Sequence, residues 1–171
     1  ARRALDFQAG NTTALALFVA ADLRRENQLR PDQTDPFAAD ARYTPQFFAT
    51  ATGASTSRRV LAMAVDSSDT ALVRDAIAAL GQTAGENSMF RTGEREPLLE
   101  CLRYPDRRVQ YDAALVLGSA LPQSRFPGDD QVVPLLASAV RSGENTYAAV
   151  ISASEENRNQ IGSMLRNDGF T

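Results

Sequence analysis

The chain contains no histidine and, among its 18 basic residues, no lysine: every one is arginine. The missing imidazole removes the commonest general base and the commonest metal ligand together. Without lysine, Schiff-base chemistry and the lysine of a phosphate-binding P-loop are excluded within these residues. Cys101 is the single cysteine, so no internal disulfide forms and a structural zinc site has almost no ligands to draw on. It lies in an apolar helical run and reads as a small core residue, because a reactive thiol needs a cationic neighbour that the local sequence lacks. No apolar run approaches the ~20 residues that cross a bilayer. The nearest, Ala14 to Ala21, ends at Asp22 and the Arg24-Arg25 pair, so no membrane contact is expected from this segment. There is no signal-peptide pattern and no initiator Met, which reads as a piece of a longer polypeptide with a cytoplasmic setting favoured.

What is present is enough for a packed core. The 171 residues are 43% hydrophobic, which argues against wholesale disorder. A net charge of −3 offers no general attraction for a phosphate backbone, so nucleic acid is not an expected partner.

A repeat organises the middle of the chain. Asp69 and Asp106, Asp75 and Asp112, Gly81 and Gly118, and Pro97 and Pro134 each lie 37 positions apart. A fixed interval of this size marks stacked supersecondary units, because one helical hairpin cannot bury its own apolar face. Before the repeats, Leu15, Phe18, Val19 and Leu23 have helical spacing behind a capping run, Asn11-Thr12-Thr13. A connector from Arg30 to Thr44, with Phe37 and Tyr43, leads to a short helix at Pro45 to Thr50 carrying Phe47 and Phe48, which reads as packing against the first repeat.

In the first unit, Ser55 to Val65 forms one helix with Val60, Leu61 and Ala64 inward. Asp69 caps a second, Thr70 to Leu80, with Leu72, Ala76, Ile77 and Leu80 on one stripe. In the next unit Pro97 fixes the first helix and Pro105-Asp106 the second, since proline is tolerated in a first turn and aspartate accepts from the orphan amides there. Gly81 and Gly118 imply either close backbone approach or helix termination. A third helix of the first type begins near Asp129 and ends by Arg141 to Gly143. Tyr147 to Ser152 then reads as a strand, followed by a capped helix bearing Ile161, Met164 and Leu165.

The pattern Asp69, Leu72, Asp75, Ala76, Leu80, Gly81 and its copy Asp106, Val109, Asp112, Ala113, Leu117, Gly118 resembles HEAT repeats, in particular the short variety of phycobilisome-lyase-like proteins. The resemblance implies a curved helical stack that binds other proteins along an exposed face, with no catalytic residues. The family's ladder-forming Arg is replaced by Val73 and Gln110, so apolar stacking is expected and the Arg–Asp ladder is not. A second stretch, Ala149 through Gly169-Phe170, resembles the first strand and helix of a two-component receiver domain. Its acidic magnesium pair falls on Ser152 and Ala153, which implies a degenerate receiver.

The expectation is therefore an all-α, HEAT-like helical-repeat solenoid with a short C-terminal strand-helix appendage. Residues 1–54 form an N-terminal helical cap, 55–143 the repeats, and 144–171 the truncated start of a receiver-like domain. The expected function is a non-catalytic scaffold or adaptor for another protein, with a signalling polypeptide as one setting and no cofactor. The alternative is a lyase-associated repeat protein carrying a tetrapyrrole or other ligand. Glu155-Glu156 and Asp129-Asp130 read as helix-capping charge rather than metal ligands. Arg58-Arg59 and Arg107-Arg108 read either as solvated helix-end charge or as a protein-binding edge. Met89 and Phe90, in the long connection from Gln82 to Gly93, complete the set of candidate protein-binding residues.

Overall fold

The computed structural model describes residues 4, 10–29, 33, 44–83, 95–120, 122, 124–142 and 154–167, and all regular structure among them is helical. The helices are α1 (Thr12–Gln28), α2 (Pro45–Ala51), α3 (Ala54–Asp66), α4 (Thr70–Thr83), α5 (Pro97–Cys101), α6 (Arg107–Ser119), α7 (Asp129–Ser142) and α8 (Glu155–Asn167). The expected strand at Tyr147 to Ser152 lies outside the described residues. Of the strand-helix appendage, the described residues contain only the helix, α8.

Local chemistry sets most helix starts. The Asn11 side chain accepts from the Ala14 amide at 2.9 Å, and Thr44 Oγ1 accepts from Phe47 at 3.1 Å ahead of Pro45. Asp69 Oδ1 accepts from the Leu72 amide at 3.2 Å, and its repeat partner Asp106 Oδ1 accepts from Arg108 and Val109 at 2.8 and 3.3 Å. Each contact satisfies an amide that the first helical turn leaves without an internal acceptor. Pro97 opens α5, and the chain leaves that helix before Tyr104-Pro105, which limits it to a single short segment. Pro134, the repeat counterpart of Pro97, instead sits inside α7 on its exposed side. The period therefore marks that position in sequence without marking a helix start.

α3 and α4 are joined by a tight turn. Asp69 N–H donates to Ala64 and Ser68 N–H to Val65, at 3.1 and 3.0 Å, with Ser68 held at φ 53°. This is the Schellman closure of a helix, made here on a residue other than glycine. α4 packs on α6 with both helices advancing in the same sense, since Arg74 meets Asp112 and Gly81 meets Val116. α6 and α7 run in opposite senses, with Tyr111 opposite Ser138 and Gly118 opposite Leu136 and Val132. α3 lies against α5 in the same succession, and α1 and α2 cover the first hairpin.

One core runs through these layers. It starts at Ala16, Val19 and Leu23 of α1 and passes through Val60, Leu61 and Ala64 of α3 and Leu72, Ala76, Ile77 and Leu80 of α4. It continues through Leu98 and Cys101 of α5 and Ala113, Ala114 and Leu117 of α6 to Val132 of α7. The stripes expected in α3 and α4 are all buried. Phe48 meets the Phe18 ring edge-on at 5.8 Å, whereas Phe47 is 54% exposed and is the less committed of the two.

The repeated glycines mark close approach, and α4 continues past Gly81 to Thr83. A Cβ on Gly81 would stand 2.8 Å from Val116 Cγ2, and one on Gly118 would stand 3.3 Å from Leu136 Cδ1. In both units the glycine lies where the next helix presses closest.

Candidate functional site

Polar contacts cross the layers at regular places. Arg24 Nε donates to Asp69 Oδ2 at 2.7 Å and Asn27 Nδ2 to Asp75 Oδ2 at 2.6 Å, tying α1 to α4. Arg74 Nε donates to Asp112 Oδ2 at 2.6 Å, tying α4 to α6. Asp75 and Asp112 are repeat equivalents, and each accepts a donor from the preceding layer. An inter-repeat ladder is therefore present, contrary to the sequence expectation. Val73 is buried in the core, and the ladder is carried by Arg74, one position further on. Gln110 Nε2 turns back to the Tyr104 carbonyl at 2.7 Å and stays within its own unit.

Beside this ladder lies an open groove of about 390 Å³ between α4 and α6, with Asn27 of α1 also in its lining. Its walls combine Ala71, Ala78, Leu115 and Val116 with the polar groups of Arg74, Asp75 and Asp112. Leu115 is 58% exposed, on the same helix as the enclosed Ala113, Ala114 and Leu117. Burial pushes the Asp75 carboxyl above its ordinary range, against the opposing Asn27 hydrogen bond and Arg74 charge. At Asp69 burial acts in the same upward direction but is outweighed. The Arg24 hydrogen bond, the Leu72 amide and the Arg24 charge hold that carboxyl below the usual range.

The four described candidates read from sequence, Arg58, Arg59, Arg107 and Arg108, lie on two different helices, α3 and α6. Arg58 pairs with Glu96 at 3.6 Å between α3 and α5, with both side chains nearly enclosed at 11% and 12% exposure. Arg59 is exposed on the same helix and donates to Thr13 Oγ1 at 3.2 Å. Arg107 and Arg108 are exposed at the start of α6, where Arg107 reaches the Tyr111 hydroxyl at 3.5 Å. A shallow hollow formed by Ser68, Thr70, Tyr104, Pro105 and Asp106 lies at that end of the helices. Met89 and Phe90 lie outside the described residues. Cys101 is fully enclosed, and burial, with the nearby Glu100 charge, pushes its thiol up to about 12, leaving it almost wholly protonated at neutral pH.

Among the described residues no group of three or more His, Cys, Asp or Glu side chains converges as metal ligands would, and no helix is long and apolar enough to cross a membrane. The groove residues Arg74, Asp75, Asp112 and Leu115 were not among the sequence candidates. The one available signal was the 37-residue relation of Asp75 to Asp112. No known protein family, curated protein or solved structure matches the chain.

Proposed function

We propose that the chain is a HEAT-like repeat module that binds another protein along the α4–α6 face, as a non-catalytic scaffold or adaptor. The observation that carries the reading is the groove itself, an open channel where an exposed Leu115 and small alanines lie between fixed charged rungs. Apolar contact at the centre with polar groups at the margins is the usual anatomy of a protein-binding patch. The layered helices support the repeat reading, since Asp69 and Asp106 cap successive equivalent helices and Asp75 and Asp112 receive successive rungs. For residues 144–171 the proposal keeps a degenerate receiver-like start, with α8 in the place of its first helix, and a signalling polypeptide as the setting.

The test is site-specific photocrosslinking in cells producing the full polypeptide, with the probe at Leu115 or, as a control, at exposed Arg103. A discrete adduct from position 115 that is absent from 103, and is lost on Asp75→Arg, is the expected outcome. Equal labelling at both positions, or none at 115, would overturn the assignment of this face.

A further inference from the structure

Among the described residues, the outward side of α7 carries the most exposed large apolar side chains. Val133 and Val140 are 72% and 73% exposed, the largest exposures among the described bulky apolar residues, and exposed Pro134 and Ala137 lie on the same face. Spacings of four, three and seven residues place Val133, Ala137 and Val140 in one line along the helix. The inner side of α7 is already used, because Val132 and Leu136 press on Gly118 of α6. With α8 in its described position this outer stripe stays uncovered, since both valines keep more than two-thirds of their surface.

Charge is distributed along this face in a self-complementary way. Asp129 and Asp130 occupy the first turn and Arg141 the last. Asp130 and Arg141 are exposed and flank the apolar line at its two ends. A helix that is acidic at one end, basic at the other and apolar between matches its own image turned end for end. Such a two-fold contact sets Val133 against Val140 of the second copy and Ala137 against Ala137 near the axis, where the small side chain lets the helices approach. Asp130 then lies within about two residues, some 3 Å of helix rise, of the level of Arg141 opposite, which is within reach of an arginine side chain. Matching ends and a shared centre are what an isologous interface requires.

We propose that α7 is a self-association surface whose occupant is a second copy of this chain, packed antiparallel across a two-fold axis at Ala137. The surface is separate from the α4–α6 groove, so this inference does not depend on the proposed binding function. An intramolecular cover, such as α8 folding back onto α7, is the competing outcome.

Light scattering on the intact chain during size exclusion, at micromolar concentration and low salt, is expected to give twice the 18.5 kDa monomer mass. Val133→Arg combined with Val140→Arg should return a folded monomer with unchanged helical circular dichroism, since neither valine supports the core, and with a melting temperature that no longer depends on protein concentration. Asp130→Arg alone and Arg141→Asp alone should each weaken the dimer tenfold or more, and mixing the two variants should restore it, because both ends of the mixed pair are again complementary. Ala137→Cys should oxidise to a covalent dimer while Leu115→Cys does not, and enclosed Cys101 supplies no competing thiol. A monomeric wild-type chain, or charge variants that mixing does not rescue, would overturn the proposal.

Discussion

Gly81 and Gly118 stand at one phase of the repeat yet differ in what a methyl group would meet. At Gly81 the obstacle is Val116 Cγ2 at 2.8 Å, on a β-branched side chain with little rotamer freedom, while at Gly118 it is the flexible end of Leu136 at 3.3 Å. Alanine gains about 1 kcal/mol of helix propensity over glycine at either site. Overpacking costs about 1–3 kcal/mol where nothing yields. Gly81→Ala should therefore lose about 1 kcal/mol in urea unfolding, and Gly118→Ala should be neutral or gain up to about 1 kcal/mol. Placing Gly81→Ala in a Val116→Ala background should recover the gain, which separates the clash from any other effect. Asp69 and Asp75 form a second contrast. The Asp69 carboxyl is lowered, so its contribution is complete above the unfolded value of 3.8 and is lost as pH falls through the lower folded value. Asp75 is raised, so its contribution is complete below 3.8 and is lost as pH rises through the higher folded value. Asp69→Asn, which keeps a competent cap, should destabilise at pH 7 by under about 1 kcal/mol, since the Arg24 pair is partly solvated. Asp75→Asn should stabilise at pH 7, and in thermal melts that gain should shrink as pH falls through the raised Asp75 value, while the Asp69→Asn loss shrinks only at the lower pH where Asp69 takes up its proton.

At the scale of elements, the turn between α3 and α4 carries the clearest strain. Ser68 sits at φ 53° with its side chain exposed, a conformation that costs a residue with a Cβ about 1–2 kcal/mol. Glycine removes that cost and adds about 0.5–1 kcal/mol of unfolded-state freedom. Ser68→Gly should thus raise stability by about 0.5–1 kcal/mol, which a melt registers as a rise of about 1–4 °C. Helix starts were legible in the sequence because caps are local: Asn11, Pro45, Asp69, Pro97 and Asp106 act within four residues of themselves. The inward stripes of α3 and α4 were legible because their apolar period is strong. Helix ends were less so, since α4 runs through Gly81 for a tertiary reason, the approach of Val116. The groove was illegible for the same kind of reason. Arg74 meets Asp112 only after two hairpins stack, and no local pattern distinguishes that arginine from Arg58, whose charge is spent on Glu96 inside the stack.

The whole molecule behaves as a set of layers with one shared interior. Buried side chains run without a break from Ala16 to Val132, so no helix pair among α1 to α7 owns a core of its own. Damage at one seam should consequently propagate. Ala113 is fully enclosed in the middle of α6, and neighbouring Ala114 is equally buried. Arginine at position 113 would force a charge and a long side chain into a site with no room for either. Leaving such a charge buried without a partner costs about 3–5 kcal/mol before the steric term is added. For a domain of this size that corresponds to a fall in melting temperature of about 10 °C or more. Ala113→Arg should unfold α3 to α6 together, so hydrogen exchange would rise at Leu61, Ile77 and Leu117 alike. Leu115→Arg introduces the same side chain two residues away, where Leu115 is 58% exposed, and should leave both melting and exchange unchanged. Exchange rising only within α6 would show instead that the repeats unfold independently. α8 provides an internal reference: Glu155 to Ile161 are all exposed, and a 13-residue helix that buries so little of this stretch is marginal in water. Its amides should exchange rapidly in the wild-type chain and in both variants, so that any added loss of protection is assigned to the stack.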